Sequence, residues 1–189
     1  MKKIVVFASG SGSNAERIAT YFTEKGSAKV SLILCNNPQA GVLARAKRLE
    51  IPSLVFDRQA LYKTNVVLDV LATQQPDLIV LAGFLWKVPE ALIAAYPNRI
   101  LNIHPSLLPK YGGKGMYGTH VHQAVVANGE KESGITIHFV NEHYDEGNIL
   151  FQAKTEVLPA DTADTLAEKI HLLEYEHFPK VIEEWLKTC

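Results

Sequence analysis

Two polar side chains interrupt an apolar run in Arg99-Ile100-Leu101-Asn102-Ile103-His104-Pro105-Ser106-Leu107-Leu108-Pro109. If Ile100 to His104 ends a strand, Asn102 and His104 leave it on one face while Leu101 and Ile103 leave it on the other. Pro105 holds His104 to an extended backbone, and with Pro109 it turns the chain away directly after the pair. Two hydrogen-bonding groups then share one face, and an imidazole at a strand's exit is placed for chemistry. The residue types alone leave a second reading open, in which both groups are satisfied strand-end residues.

Further candidates lie on either side. Ser9-Gly10-Ser11-Gly12-Ser13-Asn14 leads from an apolar run into a helical pattern, where free amides and hydroxyls make a phosphate seat or, alternatively, a capped tight turn. Gly10-x-Gly12-x-x-Ala15 fits the relaxed dinucleotide fingerprint, but the second strand ends in Cys35-Asn36-Asn37 without the acid that holds an adenosine ribose. A monophosphate therefore fits better than NAD. Phe84 to Val88 follows a buried run and Gly83, as an aromatic wall for flat rings or as core. Asp145, in Tyr144-Asp145-Glu146-Gly147, is a turn former or, if its loop folds over the sheet end, a carboxylate that raises the pKa of His104. Gly112 to Gly118 lacks the Walker spacing and reads as a flap. His120 and His122 have no carboxylate at ligand spacing, and no metal is expected.

The elements that must position these groups follow from composition and periodicity. With 189 residues and a net charge of -1, the chain fits one domain with a continuous core and no general basic field for nucleic acid. Sparse cysteines, Cys35 and Cys189, suit a reducing compartment, with cytoplasm as the expectation. No apolar run reaches the roughly 20 residues that cross a bilayer, and the five-residue run Ile4 to Ala8 reads as a first strand rather than a signal peptide. Strands are predicted at 3–8, 29–35, 53–56, 77–82 and 99–104, with helices at 14–25, 40–50, 59–74 and 89–96 between them. Gly26 and Pro52 are stop signals. Beyond residue 118 come a helix at 119–127, strands at 134–140 and 148–157 pairing antiparallel, and a last amphipathic helix at 162–187 that covers its own sheet or a partner's. The predicted fold is α/β, a Rossmann-like, mostly parallel twisted sheet with helices on both faces and a C-terminal antiparallel extension.

Asn102-x-His104-Pro105-Ser106-Leu107-Leu108-Pro109 with a downstream Asp145-Glu146-Gly147 resembles the formyltransferase family that uses 10-formyltetrahydrofolate. Ser9 to Asn14, Leu81 to Phe84, Lys110-Tyr111-Gly112 and the last helix with Glu174 extend the resemblance over nearly the full chain, and it is strongest to members acting on phosphoribosylglycinamide. The resemblance implies one formyltransferase domain over 1–189, with a phosphate-binding part at 1–100 and a catalytic and folate-binding part at 101–189. It implies Asn102, His104 and Asp145 as the catalytic trio, Gly12, Ser13 and Asn14 as the ribose-phosphate seat, and Glu174 as a contact to the glycinamide. Leu85, Trp86, Lys87 and Val88 match the folate-contacting segment, through backbone given Trp86 and Lys87. Arg58 matches a folate-contacting arginine, and Asn102 also faces the folate. The partners implied are small molecules, phosphoribosylglycinamide and folate, with the chain a monomer or homodimer and no room for the extra domains of the relatives that formylate initiator tRNA or hydrolyse the donor.

The expected mechanism is direct attack of the glycinamide amine on the formyl carbon. Asn102 donates to the oxyanion, His104 supplies charge and a proton as imidazolium, and Asp145 holds it charged. Ser106 has no base beside it and is not expected to act as a nucleophile. Two other readings remain at this point, formyltetrahydrofolate hydrolysis at the same site and a non-catalytic nucleotide-binding module.

Overall fold

The first strand, β1 (Lys2–Ala8), shows why the sheet is covered on both sides. Ile4 to Ala8 are all buried; Ile4, Val6 and Ala8 join one core, and Val5 and Phe7 join a second. Successive strand residues face opposite ways, so an unbroken apolar run needs helices on both faces. The computed structural model describes residues 1–188 of the chain; Cys189 lies outside the described residues.

The remaining elements are α1 (Ser13–Lys25), β2 (Ala28–Cys35), α2 (Gly41–Arg48), β3 (Ser53–Val55), α3 (Arg58–Tyr62), α4 (Val66–Gln74), β4 (Leu78–Leu81), α5 (Glu90–Ala95), β5 (Ile100–His104), α6 (Thr119–Ala127), β6 (Glu132–Phe139), β7 (Ile149–Glu156) and α7 (Ala163–Leu186). The seven strands form one sheet in the order β3-β2-β1-β4-β5-β6-β7. β3 to β5 pair in parallel, whereas β6 and β7 run antiparallel. Helices α1, α2, α6 and α7 contribute to the core that holds Ile4, and α3, α4 and α5 to the core that holds Val5.

The chain leaves β1 towards β2 and β3, then returns to β4 on the other side. That reversal opens a crevice at the carboxyl ends of β1 and β4, where open parallel sheets bind ligands. β5 lies next to β4, with Asn102 paired to Leu81 on one side and to His138 of β6 on the other.

The sequence pattern predicts one helix over 59–74, and the structure has two. Lys63, Thr64 and Asn65 separate α3 from α4: the Thr64 amide donates to Gln59 O at 3.1 Å, the Thr64 hydroxyl accepts from the Val66 amide at 3.5 Å, and Asn65 takes the N-cap position of α4 without a side-chain bond. Residues of these types offer the backbone alternatives to helical hydrogen bonds, which outweighs the apolar period running across the gap.

Candidate active site

At the C-terminal ends of β1, β4 and β5 lies a cleft of about 630 Å³ that takes in Gly10 to Asn14, Phe84 to Val88, Asn102, His104, Asp145 and Glu174. Its end at Gly10 to Asn14 is backbone. Gly12 caps α1 at φ +77° with no side chain bonded to the first-turn amides. Unpaired amides and the helix dipole favour an anion there. Only glycine fits: a Cβ on Gly12 would stand 2.4 Å from Val42 Cγ2. Arg45 Nε donates to Ser11 O at 2.8 Å and the Val42 amide to Gly10 O at 3.1 Å, so α2 braces the loop from behind.

The opposite end is built from side chains. Asn102 and His104 leave β5 on the same face, and His104 is 4% exposed. His104 Nε2 donates to the Tyr111 carbonyl at 2.7 Å, because a carbonyl only accepts. The neutral ring therefore keeps its lone pair on Nδ1, 3.5 Å from Asp145 Oδ2. The β6–β7 loop does fold over the sheet end. Asp145, at φ +56°, accepts from the Gly113 amide at 2.9 Å and stands 3.5 Å from His138 Nε2.

Burial works against the imidazolium that Asp145 favours at His104. Loss of solvent holds the His104 pKa below the ordinary imidazole value, although Asp145 and the Tyr111 carbonyl both pull it up. Burial also works against the Asp145 carboxylate, but His138, His104 and the Gly113 amide outweigh it, and its pKa lies below the usual range.

His138 is a site residue that the sequence reading missed. Its Nδ1–H donates to Phe139 O at 2.9 Å, so its Nε2 accepts from Asn102 Nδ2 at 3.1 Å. That contact fixes the Asn102 amide with its second N–H free to serve the cleft. The signal was available, since Thr136 and His138 interrupt Ile135-Thr136-Ile137-His138 with the same two-residue period that marks Asn102 and His104.

Glu174 is 5% exposed and accepts from Asn14 Nδ2 at 2.9 Å and from His171 Nδ1 at 3.0 Å. The bond to Glu174 raises the His171 pKa. Leu166, Ile170, Glu174, Phe178, Ile182 and Leu186 are all buried at four-residue spacing, so a carboxylate occupies one place in an otherwise apolar stripe of α7. That break in the stripe picks out Glu174 without any resemblance. His122 is buried against the same group, with its pKa lowered by burial and by His171, while His120 is exposed.

In the aromatic wall, Phe84 and Trp86 pack with Phe56 at 6.0 and 6.1 Å between ring centroids. Val88 is buried and Leu85 is exposed at the cleft mouth. Arg58 touches the wall rather than the cleft, its guanidinium 4.6 Å from the Trp86 ring centroid. The Leu85 amide is engaged by Ser9 Oγ at 3.0 Å and the Lys87 carbonyl by Tyr62 at 2.8 Å. Ser106 Oγ donates to Lys110 O at 2.6 Å, which ties it to the backbone. Among the described residues no group of three His, Cys, Asp or Glu side chains is placed to hold a metal ion, and no helix is long and apolar enough to cross a membrane.

Comparison with known proteins agrees with the fold. The chain is 40% identical over 192 residues to phosphoribosylglycinamide formyltransferase of Bacillus subtilis (strain 168), covering 98% of this chain and 95% of the relative. It is 42% identical to the chloroplastic phosphoribosylglycinamide formyltransferase of Vigna unguiculata over 96% of this chain, and spans 60% of that relative's length. The crystal structure of phosphoribosylglycinamide formyltransferase from Bacillus Halodurans superposes with a TM-score of 0.88 at 35% identity, covering 98% of this chain and 95% of the other. Since residues 2–182 match the family described as formyl transferase, the chain belongs to the formyl transferase family.

Proposed function

We propose that this chain transfers the formyl group of 10-formyltetrahydrofolate to the amine of 5′-phosphoribosylglycinamide, a step of purine biosynthesis. The observation that carries the reading is a single cleft with the Gly10–Asn14 backbone and the start of α1 at one end and Asn102, His104 and Asp145 at the other. A phosphorylated acceptor spans the two ends, with its glycinamide beside Glu174. The formyl donor, as second substrate, lies against Phe84 to Val88. With the Leu85 amide and Lys87 carbonyl already bonded, the Trp86 and Val88 backbone groups are the ones that meet its heterocycle. The domain is single, and the buried free thiol of Cys35 suits a reducing, cytoplasmic compartment.

The chemistry starts from neutral His104. The acceptor amine attacks the formyl carbon, the carbonyl electrons move onto oxygen, and the free N–H of Asn102 donates to that oxyanion. His104 Nδ1 takes the proton that the amine loses, and Asp145 and the Tyr111 carbonyl stabilise the imidazolium formed. The same proton then passes to the departing folate nitrogen as the carbon–nitrogen bond breaks. His104 ends neutral, as it began.

Purified chain incubated with 10-formyltetrahydrofolate, with and without phosphoribosylglycinamide, tests the reading. Deformylated folate is expected only when the acceptor is present, in step with formylated product. Turnover without acceptor would make the chain a hydrolase, and no turnover in either arm would leave a binding module.

A further inference from the structure

Tyr111 connects His104 to residues outside the cleft lining. Its φ of +55° is a left-handed backbone that an aromatic residue keeps only when its surroundings hold it there. The side chain supplies that hold. Its phenol donates to Glu130 Oε1 at 2.9 Å and accepts from Asn128 Nδ2 at 2.9 Å, at the turn that ends α6. Lys110 Nζ lies 3.2 Å from both Glu130 oxygens. The Tyr111 hydrogen bond, with Lys110, keeps the Glu130 carboxyl below its ordinary pKa, so the acceptor is ionised.

The hold matters because of what stands on the other side of the ring. A neutral imidazole next to the Asp145 carboxylate lowers its energy by carrying its proton on Nδ1, facing that charge, and in that form it has no lone pair to offer an amine. His138, His122 and Glu174 also act on the ring electrostatically, but the bonded acceptor at Nε2 is the Tyr111 carbonyl, at 2.7 Å. We propose that Tyr111 and Glu130 are positioning residues: their side-chain bond fixes the Tyr111 carbonyl, which holds the His104 proton on Nε2 and leaves Nδ1 free as the base. The inference rests on the proton-carrying role proposed for His104.

The test is nitrogen NMR on protein labelled at histidine ring nitrogens, with the His104 signals assigned by their loss in His104→Ala, alongside steady-state kinetics. The unsubstituted chain is expected to show His104 protonated on Nε2 and unprotonated on Nδ1 above its titration. Tyr111→Phe and Glu130→Ala should each move the His104 signals towards Nδ1 protonation. Each should lower kcat roughly 10-fold, the scale of one lost hydrogen bond, with little change in KM. Glu130→Gln keeps an acceptor for the phenol and should restore both readouts, and the double variant should be no worse than either single one. Glu130→Ala lies at a turn and carries the test if Tyr111→Phe folds poorly. Unchanged ring signals and kcat in folded variants would overturn the anchor. Full activity in His104→Ala would overturn the site reading instead, so the two failures are distinguishable.

Discussion

The two ends of the cleft solve the problem of placing polar groups in opposite ways. At the proposed phosphate end, Gly10 to Asn14 are consecutive, and the function proposed for them falls to the backbone; a strand, a left-handed Gly12 and a helix fix the amides, and α2 braces them. At the catalytic end, Asn102, His104, Asp145 and His138 come from β5, β6 and a loop. An amide keeps its proton at any working pH. An imidazole does not, so the catalytic end depends on burial and neighbours for its protonation as well as its position.

Substitutions should separate the ends. Asn102→Ala and His104→Ala are expected to lower kcat by on the order of 100-fold or more, about 3 kcal/mol of transition-state stabilisation, with KM for the phosphorylated acceptor largely kept. A rise in KM with kcat intact would erase the contrast. Gly12→Ala forces a side chain into a left-handed backbone, at roughly 1–2 kcal/mol, and into Val42. It should raise KM for the phosphorylated acceptor about 10-fold, while a substrate lacking the phosphate is affected little; equal effects on both substrates would deny the seat.

The smallest expected effect is on the pH profile. In the proposed mechanism His104 acts when neutral, so the rate should rise as pH climbs through its depressed pKa, which places the acidic limb below the ordinary imidazole value. Asp145 pulls that pKa up, so Asp145→Asn should move the limb to still lower pH. A limb that stays in place, followed by kcat between pH 5 and 8, would detach Asp145 from His104.

How much was legible in the sequence follows the same division. The parallel sheet, the antiparallel extension and the face shared by Asn102 and His104 are periodicities, and periodicity is local. Glu174 and His138 were legible too, as interruptions of an apolar stripe and of an alternating strand. The gap between α3 and α4 was hidden because apolar spacing continues across Thr64 and Asn65. The lowered pKa of His104 was not legible at all, since it depends on how fully burial removes water from the ring, and no residue type reports that.

Asn14 and Glu174 are 160 residues apart in the chain and joined by one hydrogen bond. The Gly10–Asn14 loop leaves the ribosome well before α7. A growing chain thus has the proposed anion seat before it has the Glu174 carboxylate or the loop that carries Asp145. Synthesis order alone delays formation of the reaction centre until α7 docks on α1.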